Sequence, residues 1–391
     1  MGGGLQTLRR GGALVLVTLA LAGLASAAAP ARGRPIVVPG CDGVYYERDG
    51  SPRVLIVSDF PLETSTYTAT HQIAQAIKVT LKDRSFHAGA FTVGYVVCDD
   101  SGPAGPSSAD RCRANARAAS RVADVVAMIG TLDSGCARVE LPVLADAHVL
   151  LVSPLNTATD LTHLRRGAIA RMSATDDKQA AAAASFLHQD GVRTVAVLSD
   201  GTPRGNAYRA AFFSAAHTAG LRTPARGKAD AAYVGGLLSR GSGALLREAR
   251  RRAPGGPLVL AAGYGPAAQL VTEAGPVADG AYLVVAGVPV ERLGEAGRDF
   301  VTQFATAIGR SPHPYAVYAA QAANLLLDAI ARSNGTRRSV GRIVLATKVE
   351  RGLTGTFAFD ANGDATPAAV TIFRVRDGRT EIVRVLNSGI P

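Results

Sequence analysis

The stretch that decides the fold is residues 124–162, DVVAMIGTLDSGCARVELPVLADAHVLLVSPLNTATDLT. It contains two short apolar runs, residues 124–130 and 148–153, with a helical segment between them that ends at residue 147. The runs are continuously apolar and do not alternate with polar residues, which is typical of parallel strands covered by helices on both faces. The stretch therefore predicts one strand–helix–strand unit of a parallel α/β sheet.

The same alternation of strands and helices extends in both directions along the chain. Before the stretch, strands are predicted at residues 53–58 and 92–98, and helices at 71–81 and 110–122. After it, helices are predicted at 179–189 and 205–219, and strands at 194–199, 258–262 and 281–286. A break in the pattern near residues 170–177 divides the chain into two successive doubly wound units.

The C-terminal part of the chain has a different pattern. A long helix is predicted over residues 315–332, followed by strands at 354–359, 369–374 and 381–385 that are joined by turns. This part is too small to form a third core. We therefore expect it to complete the first two sheets, which requires several crossings between two lobes.

The N-terminus has the pattern of a secretory signal. Arg9 and Arg10 precede an apolar run over residues 13–24, and small residues follow at 25–29. The run is short for a membrane span, which needs about 20 apolar residues, although an uncleaved anchor remains the alternative. We predict a signal peptide at 1–29, an irregular leader at 30–52, and a mature protein that is secreted, periplasmic or held at the cell surface.

Cysteine usage agrees with an oxidising compartment. The four cysteines are Cys41, Cys98, Cys112 and Cys136, an even number that predicts two disulfides with three possible connectivities. None of them lies in a C-x-x-C pair, which argues against a zinc or thioredoxin-like site. Cys41 lies well past the apolar run, and the preceding residues VPG are a poor lipidation signal.

The positive charge does not indicate a nucleic-acid partner. The formal net charge is +11, and lysine occurs at only five positions, so that 37 of the 42 basic residues are arginines. With abundant alanine and glycine, this composition indicates a coding bias spread over the whole surface. The densest basic clusters, residues 165–166 and 250–252, are too short for a binding stripe.

Motifs for bond-making chemistry are weak or absent. Residues 263–268 (GYGPAA) match a dinucleotide fingerprint, but Pro266 is typical of a first helical turn and no acidic residue ends a following strand. Residues 360–364 (DANGD) resemble part of a calcium loop, but Ala365 and Thr371 occupy its sixth and twelfth positions, so a β-turn is predicted. The seven histidines have no metal-ligand spacing. We expect a protein that is not an enzyme and that has no cofactor or metal.

Polar residues follow three of the predicted strands, where parallel α/β sheets bind ligands. They form the loops 130–135 (GTLDSG), 153–157 (SPLNT) and 200–205 (DGTPRG). The hydroxyl and the free N–H groups of the first loop, at the start of a helix, suit a carboxylate. For any one of these loops taken alone, helix capping by Ser, Thr, Asn and Asp is the favoured explanation.

The quoted stretch resembles the first lobe of leucine/isoleucine/valine-binding proteins. Residues 168–205 resemble the same family, and residues 349–364 (VERGLTGTFAFDANGD) resemble its closing strands, so the likeness covers nearly all of the mature chain in order. It implies the type I periplasmic binding protein fold, an α/β class with two doubly wound parallel-sheet lobes joined by a three-crossover hinge. It also implies a small-molecule ligand in the cleft and delivery to the membrane permease of an ABC importer, or in relatives a sensor role.

The resemblance also implies domain boundaries and an oligomeric state. The expected first lobe consists of residues 53–172 and 286–348, and the second lobe consists of residues 173–285 and 349–391. We expect a monomer. A sensory module of the same fold and an exported enzyme remain alternatives, although the enzyme would need a nucleophile and a base at the cleft, and no such pair is evident.

Several residues take ligand-binding roles by this resemblance. Ser134 matches a serine that holds the ligand carboxylate, Thr157 matches a threonine that contributes its N–H and hydroxyl, and Leu155 offers a backbone carbonyl to the ligand ammonium. Asn156 lies in the same loop. The resemblance also favours a Cys112–Cys136 disulfide, which leaves Cys41 and Cys98 to form the second.

Departures from the family change the expected ligand. Arg204 replaces a cleft tyrosine, and no carboxylate is present near Gly263 and Tyr264, where the family pairs the ligand ammonium with an acid. Tyr67 and Tyr315 are expected to supply aromatic walls. An unpaired ammonium in a closed cleft would cost about 1–3 kcal/mol or more, whereas an arginine can bind a further anionic group. We therefore expect a small carboxylate-bearing solute that can carry two acidic groups.

Overall fold

The computed structural model describes residues 1–4, 36–63, 67–102, 107–387 and 389. The predicted signal peptide falls mainly on residues 5–29, outside the described residues. Residues 35–391 form one compact unit. Among the described helices, none combines the length and the apolar character needed to cross a membrane.

The first sheet has six strands in the order β2-β3-β1-β4-β5-β6. They are β1 (Val54–Phe60), β2 (His87–Ala88), β3 (Phe91–Asp99), β4 (Val125–Gly130), β5 (Leu150–Ser153) and β6 (Ile169–Arg171). All neighbouring strands are parallel except the short β2–β3 pair. The helices in this part of the chain are α1 (Tyr67–Asp83), α2 (Ala109–Arg121), α3 (Ser134–Asp146) and α4 (Leu161–Leu164).

The second sheet also has six strands, of which four are parallel. These four are β7 (Val195–Ser199), β8 (Ala231–Gly235), β9 (Leu258–Leu260) and β10 (Tyr282–Ala286), and the helices are α5 (Asp176–Gln189), α6 (Pro203–Thr218), α7 (Ser242–Arg252) and α8 (Ala267–Ala274). Short 3₁₀ turns lie at Ala262–Tyr264, Gly275–Ala278 and Val290–Arg292. The continuous burial of β1, β4 and β8 explains why these strands lack alternating polar residues.

The C-terminal part returns to both lobes. Helices α9 (Glu295–Ile308), α10 (Pro314–Ala331) and α11 (Arg337–Leu345) precede a small sheet of β11 (Lys348–Gly352), β12 (Gly355–Phe359) and β13 (Ala365–Thr366). Strands β14 (Val370–Arg376) and β15 (Arg379–Leu386) then join the second sheet, in which β14 pairs antiparallel with β10 and β15 pairs antiparallel with β14. Helix α10 packs on α1, and α11 packs on β4 and β5, so these helices cover the first sheet.

The fold class predicted from the sequence is confirmed: two lobes contain parallel-dominated sheets with flanking helices. The expectation that C-terminal strands complete both sheets is correct only for the second sheet, because β11, β12 and β13 pair with one another. The strand β8 was missed, since its sequence AAYVG has few strongly β-forming residues and depends on burial between β7 and β9.

Two disulfides stabilise the first lobe. Cys41–Cys98 attaches the leader to β3, where Tyr45 and Tyr95 also exchange both backbone hydrogen bonds. Cys112–Cys136 joins α2 to α3. These are the two pairs that the family resemblance implies.

Candidate functional site

A small cavity lies between the two lobes. Its volume is about 30 Å³, and its lining residues come from the loop after β5, the start of α5, the end of β10 and the start of α10: Pro154, Leu155, Thr157, Ser173, Gln179, Ala262, Ala286, Tyr315 and Tyr318. The loop after β5 lies at the carboxyl edge of the first sheet, where α/β folds bind ligands. In this conformation, side chains of the protein itself leave only this small volume in the cleft.

Asn156 holds the loops of the first lobe together. Its side chain is fully buried, and Oδ1 accepts hydrogen bonds from Ser153 Oγ (2.7 Å) and the Thr131 backbone N–H (3.3 Å). Nδ2 donates to Thr131 Oγ1 at 3.2 Å, and the Asn156 carbonyl accepts from Ser173 Oγ at 2.7 Å. The structure therefore differs from the expected ligand contact, because loop-to-loop hydrogen bonds occupy this amide.

Of the expected carboxylate-binding residues, Leu155 and Thr157 line the cavity, and Ser134 contacts the neighbouring Ala158. Ser134 begins α3 behind the N-cap Asp133, and its Oγ accepts from the Ala158 backbone N–H at 3.4 Å. This leaves the Ser134 hydroxyl hydrogen free to donate. The Leu155 carbonyl and the Thr157 N–H form no hydrogen bond within the described part of the chain.

Arg204 crosses from the second lobe to the first. Thr202 caps α6, which places Arg204 in the first turn. Its guanidinium donates to both carboxylate oxygens of Asp176 (2.6 and 3.1 Å), to Thr157 Oγ1 (2.7 Å) and to the Tyr208 hydroxyl (2.9 Å). Burial raises the pKa of Asp176, and the charge of Arg204 opposes this change. The partner of Arg204 is thus a carboxylate of the protein itself.

The third predicted loop is mainly a capping structure. The carboxylate of Asp200 accepts from the backbone N–H groups of Thr202 (3.0 Å) and Leu237 (2.9 Å) and from the Thr202 hydroxyl (2.7 Å). A side chain at Gly205 would lie within 2.0 Å of this carboxylate, so the close approach requires glycine.

The predicted aromatic residues have three different positions. Tyr315 lines the cavity, burial raises its pKa, and its hydroxyl has no hydrogen-bond partner among the described residues. Tyr264 differs from the expectation, because the 3₁₀ turn directs it into the core of the second sheet, where it is fully buried and its hydroxyl is unpaired. Tyr67 begins α1, and its side chain lies outside the described part of the structure.

Three polar residues at the site were not predicted from the sequence: Asp176, Gln179 and Tyr318. Gln179 is buried, and its Nε2 donates to the carbonyls of Ala174 (3.1 Å) and Thr175 (3.4 Å), which leaves Oε1 without a donor. The run TDDKQ at 175–179 is the only signal in the sequence, and it is typical of a capped helix start.

A second buried polar cluster lies beside the Cys112–Cys136 disulfide. Asp59, Asp100 and Glu140 are fully buried, and each has one carboxylate oxygen without a hydrogen-bond donor among the described residues. Oxygen atoms of Asp59 and Asp100 and both sulfurs lie within 4.8 Å of one another. The sulfurs are bonded to each other, so they are not thiolate ligands for a metal.

Comparison with known proteins supports the architecture. Residues 88–231 match the family described as periplasmic binding protein. Among curated proteins, none matches this chain significantly. Similarity to solved structures is extensive over the length of the chain but low in sequence identity.

Three solved structures illustrate this similarity. The leucine-binding protein LivK of Thermotoga maritima has 21% identity and a TM-score of 0.71, and the alignment covers 85% of this chain and 99% of that protein. An ABC transporter substrate-binding protein of Desulfitobacterium hafniense, in complex with Leu, has 19% identity, a TM-score of 0.71 and coverage of 84% and 99%. An ABC transporter solute-binding protein of R. palustris, in complex with benzoate, has 16% identity, a TM-score of 0.67 and coverage of 86% and 96%. All three are described as binding proteins.

Proposed function

We propose that this chain, which has the type I periplasmic binding fold, is an extracytoplasmic solute-binding protein that delivers a small carboxylate-bearing solute to the permease of an ABC importer. The observation that carries the proposal is a cavity lined by Leu155 and Thr157 of the first lobe and by Ala262 and Ala286 of the second, with Ser134 bound to the adjacent Ala158 N–H. These positions carry the ligand-binding roles that the family resemblance implies.

The unpaired groups of the first lobe match a carboxylate in number and type. The Ser134 hydroxyl and the Thr157 N–H are two donors for the two oxygens of one acid group. The walls formed by Leu155, Tyr315 and Tyr318 are apolar and aromatic, which suits a small hydrophobic body. Leucine and benzoate, the solutes named for similar proteins, each carry one carboxylate.

The bidentate contact between Arg204 and Asp176 argues for a single acid group. A second carboxylate on the solute would have to displace Asp176 from both N–H groups of the guanidinium. Breaking a buried pair in this way leaves an uncompensated charge, which costs several kcal/mol. The proposed ligand is therefore a monocarboxylate, such as an apolar amino acid or an aromatic acid, and not a dicarboxylate.

Ligand entry requires a more open arrangement of the lobes. The cavity of about 30 Å³ is far smaller than the roughly 300–1,000 Å³ of typical ligand pockets. The Arg204–Thr157 hydrogen bond and the hydrogen bond from the Asp176 N–H to the Thr157 carbonyl (2.8 Å) join the two lobes. We propose that these contacts separate when the cleft opens and form again around the bound solute.

An extracytoplasmic location is supported by two features. Two disulfides persist in oxidising compartments and are rare in the cytosol. The N-terminal pattern of basic, apolar and small residues is typical of an export signal.

Calorimetry against a panel of acids tests the proposal. Leucine, isoleucine, benzoate and 4-hydroxybenzoate represent monocarboxylates, and succinate and glutarate represent dicarboxylates. We expect at least one monocarboxylate to bind with micromolar or better affinity. The double substitution Ser134→Ala/Thr157→Val should weaken that binding at least tenfold, because it removes the Ser134 donor and the Thr157 hydroxyl that fixes Arg204 beside the Thr157 N–H.

The matched control is Ser214→Ala/Thr306→Val, which removes two hydroxyls from exposed helix positions outside the cavity. This control should leave the affinity within twofold of the unsubstituted protein. A panel in which only dicarboxylates bind, or an affinity that is unaffected by the Ser134/Thr157 substitutions, would overturn the proposal.

A further inference from the structure

A basic groove lies at the amino ends of β5 and β6, at the opposite edge of the first sheet from the cleft. Its volume is about 610 Å³, which is within the range of small-molecule sites. The lining comes from His148 before β5, the segment 166–168 before β6, one face of α11 and the turn 360–363. None of the cleft residues lines this groove.

Four arginines converge on the groove, and three of them have no acidic partner in the described chain. Arg166, Arg338 and Arg342 are exposed and form no ion pair there. Arg338 contacts the His148 ring. The fourth, Arg337, donates to four backbone carbonyls, those of Ser120, Val122, Val125 and Ala147, and therefore has a structural role.

The groove contains little negative charge of its own. Asp360 is the only acidic residue that lines it. Its Oδ1 already accepts from the backbone N–H groups of Asn362 (2.8 Å) and Asp364 (3.0 Å), which orients it toward its own turn. The groove therefore carries an excess of positive charge.

Some exposed arginines elsewhere in the described chain have acidic partners, and others have none. Arg84 pairs with Asp328, Arg138 pairs with Asp160, and Arg376 pairs with Glu381, at distances of 2.7 to 3.0 Å. Among the described residues, the groove is therefore distinguished by the convergence of four arginines and only one acidic residue on one concave surface, and not by the lack of ion pairs alone. An external anion that several guanidinium groups can share would compensate their charge.

We propose that this groove binds a phosphate-bearing anion with at least two negative charges. A phosphate group offers several strong acceptor oxygens, and the planar guanidinium fork binds two of them at once. The groove volume of about 610 Å³ has room for a diphosphate beside Arg166, Arg338 and Arg342. The phosphate belongs either to a free solute or to an anionic lipid headgroup.

Two probes distinguish these sources: inorganic pyrophosphate, followed by calorimetry at about 50 mM salt, and cosedimentation with vesicles of phosphatidylglycerol or phosphatidylcholine. The test variant is Arg166→Glu/Arg342→Glu. Its matched control is Arg226→Glu/Arg310→Glu, which changes the net charge equally at exposed arginines outside the groove. Arg166→Gln/Arg342→Gln is a milder second variant, and thermal unfolding verifies that each protein is folded.

We expect pyrophosphate or phosphatidylglycerol binding to weaken at least tenfold in the groove variants and less than twofold in the control. Loss of pyrophosphate binding identifies a free phosphate compound, and loss of vesicle binding alone identifies a lipid surface. Absence of binding to both probes, or equal weakening in the groove and control variants, overturns the proposal. Affinity for the cleft solute should not change in any of these proteins.

Discussion

Two buried polar clusters at the carboxyl edge of the first sheet treat charge in opposite ways. At the end of β6, Arg171 is fully buried and its Nε donates to Asp364 at 2.7 Å, while its other nitrogens contact the Ala158 carbonyl and Thr162 Oγ1. At the ends of β1 and β3, Asp59 and Asp100 lie with Glu140 and have no cation. In the first cluster the charges form an ion pair, whereas in the second the carboxyl groups can become neutral only by binding protons.

The carboxyl groups of the acidic cluster avoid buried negative charge by retaining protons. Burial raises the pKa of Asp59 to about 6, and burial together with the charge of Asp59 raises the pKa of Asp100 to about 8. Burial raises the pKa of Glu140 well above its ordinary value, and the nearby Asp59 acts in the same direction. A buried carboxyl without a partner is more stable as the neutral acid, which can donate a hydrogen bond to its neighbour.

A buried acid near a strand end therefore stabilises the fold as a carboxylate only when it forms an ion pair with a cation. Arg171 reaches Asp364 from 193 residues away and ties the turn 360–364 to β6. The acidic cluster instead lies against the Cys112–Cys136 disulfide, because Sγ of Cys136 is 3.2 Å from Asp100 Oδ2. We therefore expect the two clusters to respond differently to substitution and to pH.

The largest effect is expected from Arg171→Met. This change removes the cation of a buried ion pair and leaves the Asp364 carboxylate without a partner charge. It should lower the free energy of unfolding by about 3–5 kcal/mol. Urea denaturation measures the loss. Arg138→Met is the control, because its pair with Asp160 is exposed and should contribute about 1 kcal/mol or less. Equal losses in the two variants would contradict a special role for the buried pair.

The next largest effect is expected from the disulfide beside the acidic cluster. The double substitution Cys112→Ala/Cys136→Ala opens a cross-link between positions separated by 24 residues and should cost about 2–4 kcal/mol. Urea denaturation without reductant gives the value. A loss below about 1 kcal/mol would show that the acidic cluster does not depend on this cross-link.

The pH dependence of stability distinguishes the clusters directly. Because the folded-state pKa values of Asp59, Asp100 and Glu140 are raised, the folded protein binds more protons than the unfolded chain above about pH 4, where unfolded carboxyl groups ionise. The stability that the raised pKa values contribute is therefore fully present below about pH 4, and the free energy of unfolding should fall as the pH rises from there through the folded-state pKa values of about 6 and 8.

Glu140→Gln sharpens this test, because it removes one of the three raised pKa values. Relative to the unsubstituted protein, the variant should be more stable at pH 8 than at pH 4, because it no longer loses stability when Glu140 ionises. Glu291→Gln, at an exposed position, should show no such pH-dependent difference. A pH profile that Glu140→Gln leaves unchanged would contradict the presence of a protonated cluster.

The smallest effect is expected from Asn115→Ala. Asn115 Nδ2 donates to Asp59 Oδ1 at 2.9 Å and to the Asp99 carbonyl at 3.1 Å, so its loss should cost about 1 kcal/mol. The hydrogen bond from Asn115 lowers the pKa of Asp59, and the variant should therefore shift that pKa further upward. Carboxyl-carbon NMR titration measures the shift, and a downward shift would contradict this assignment.

Local patterns were sufficient for the architecture. The apolar runs predicted β4, β5 and β7, and the alternating helices predicted a doubly wound fold, because burial on both faces leaves its mark within a few residues of sequence. Strand-end loops predicted the region of the site, since parallel strands bring their carboxyl ends to one edge. The residues expected there, Ser134, Leu155 and Thr157, follow from loop position together with the family resemblance.

The partners of buried polar groups could not be predicted from the sequence and were identified only in the tertiary structure. The residues of the acidic cluster, at positions 59, 100 and 140, have no common motif, and neither do Arg171 and Asp364. The amide of Asn156 and the guanidinium of Arg204 were expected to face a ligand, but each finds its partners within the protein. Hydrophobic periodicity is a property of neighbouring residues, whereas a charge is satisfied by whichever group the distant chain brings within about 3 Å.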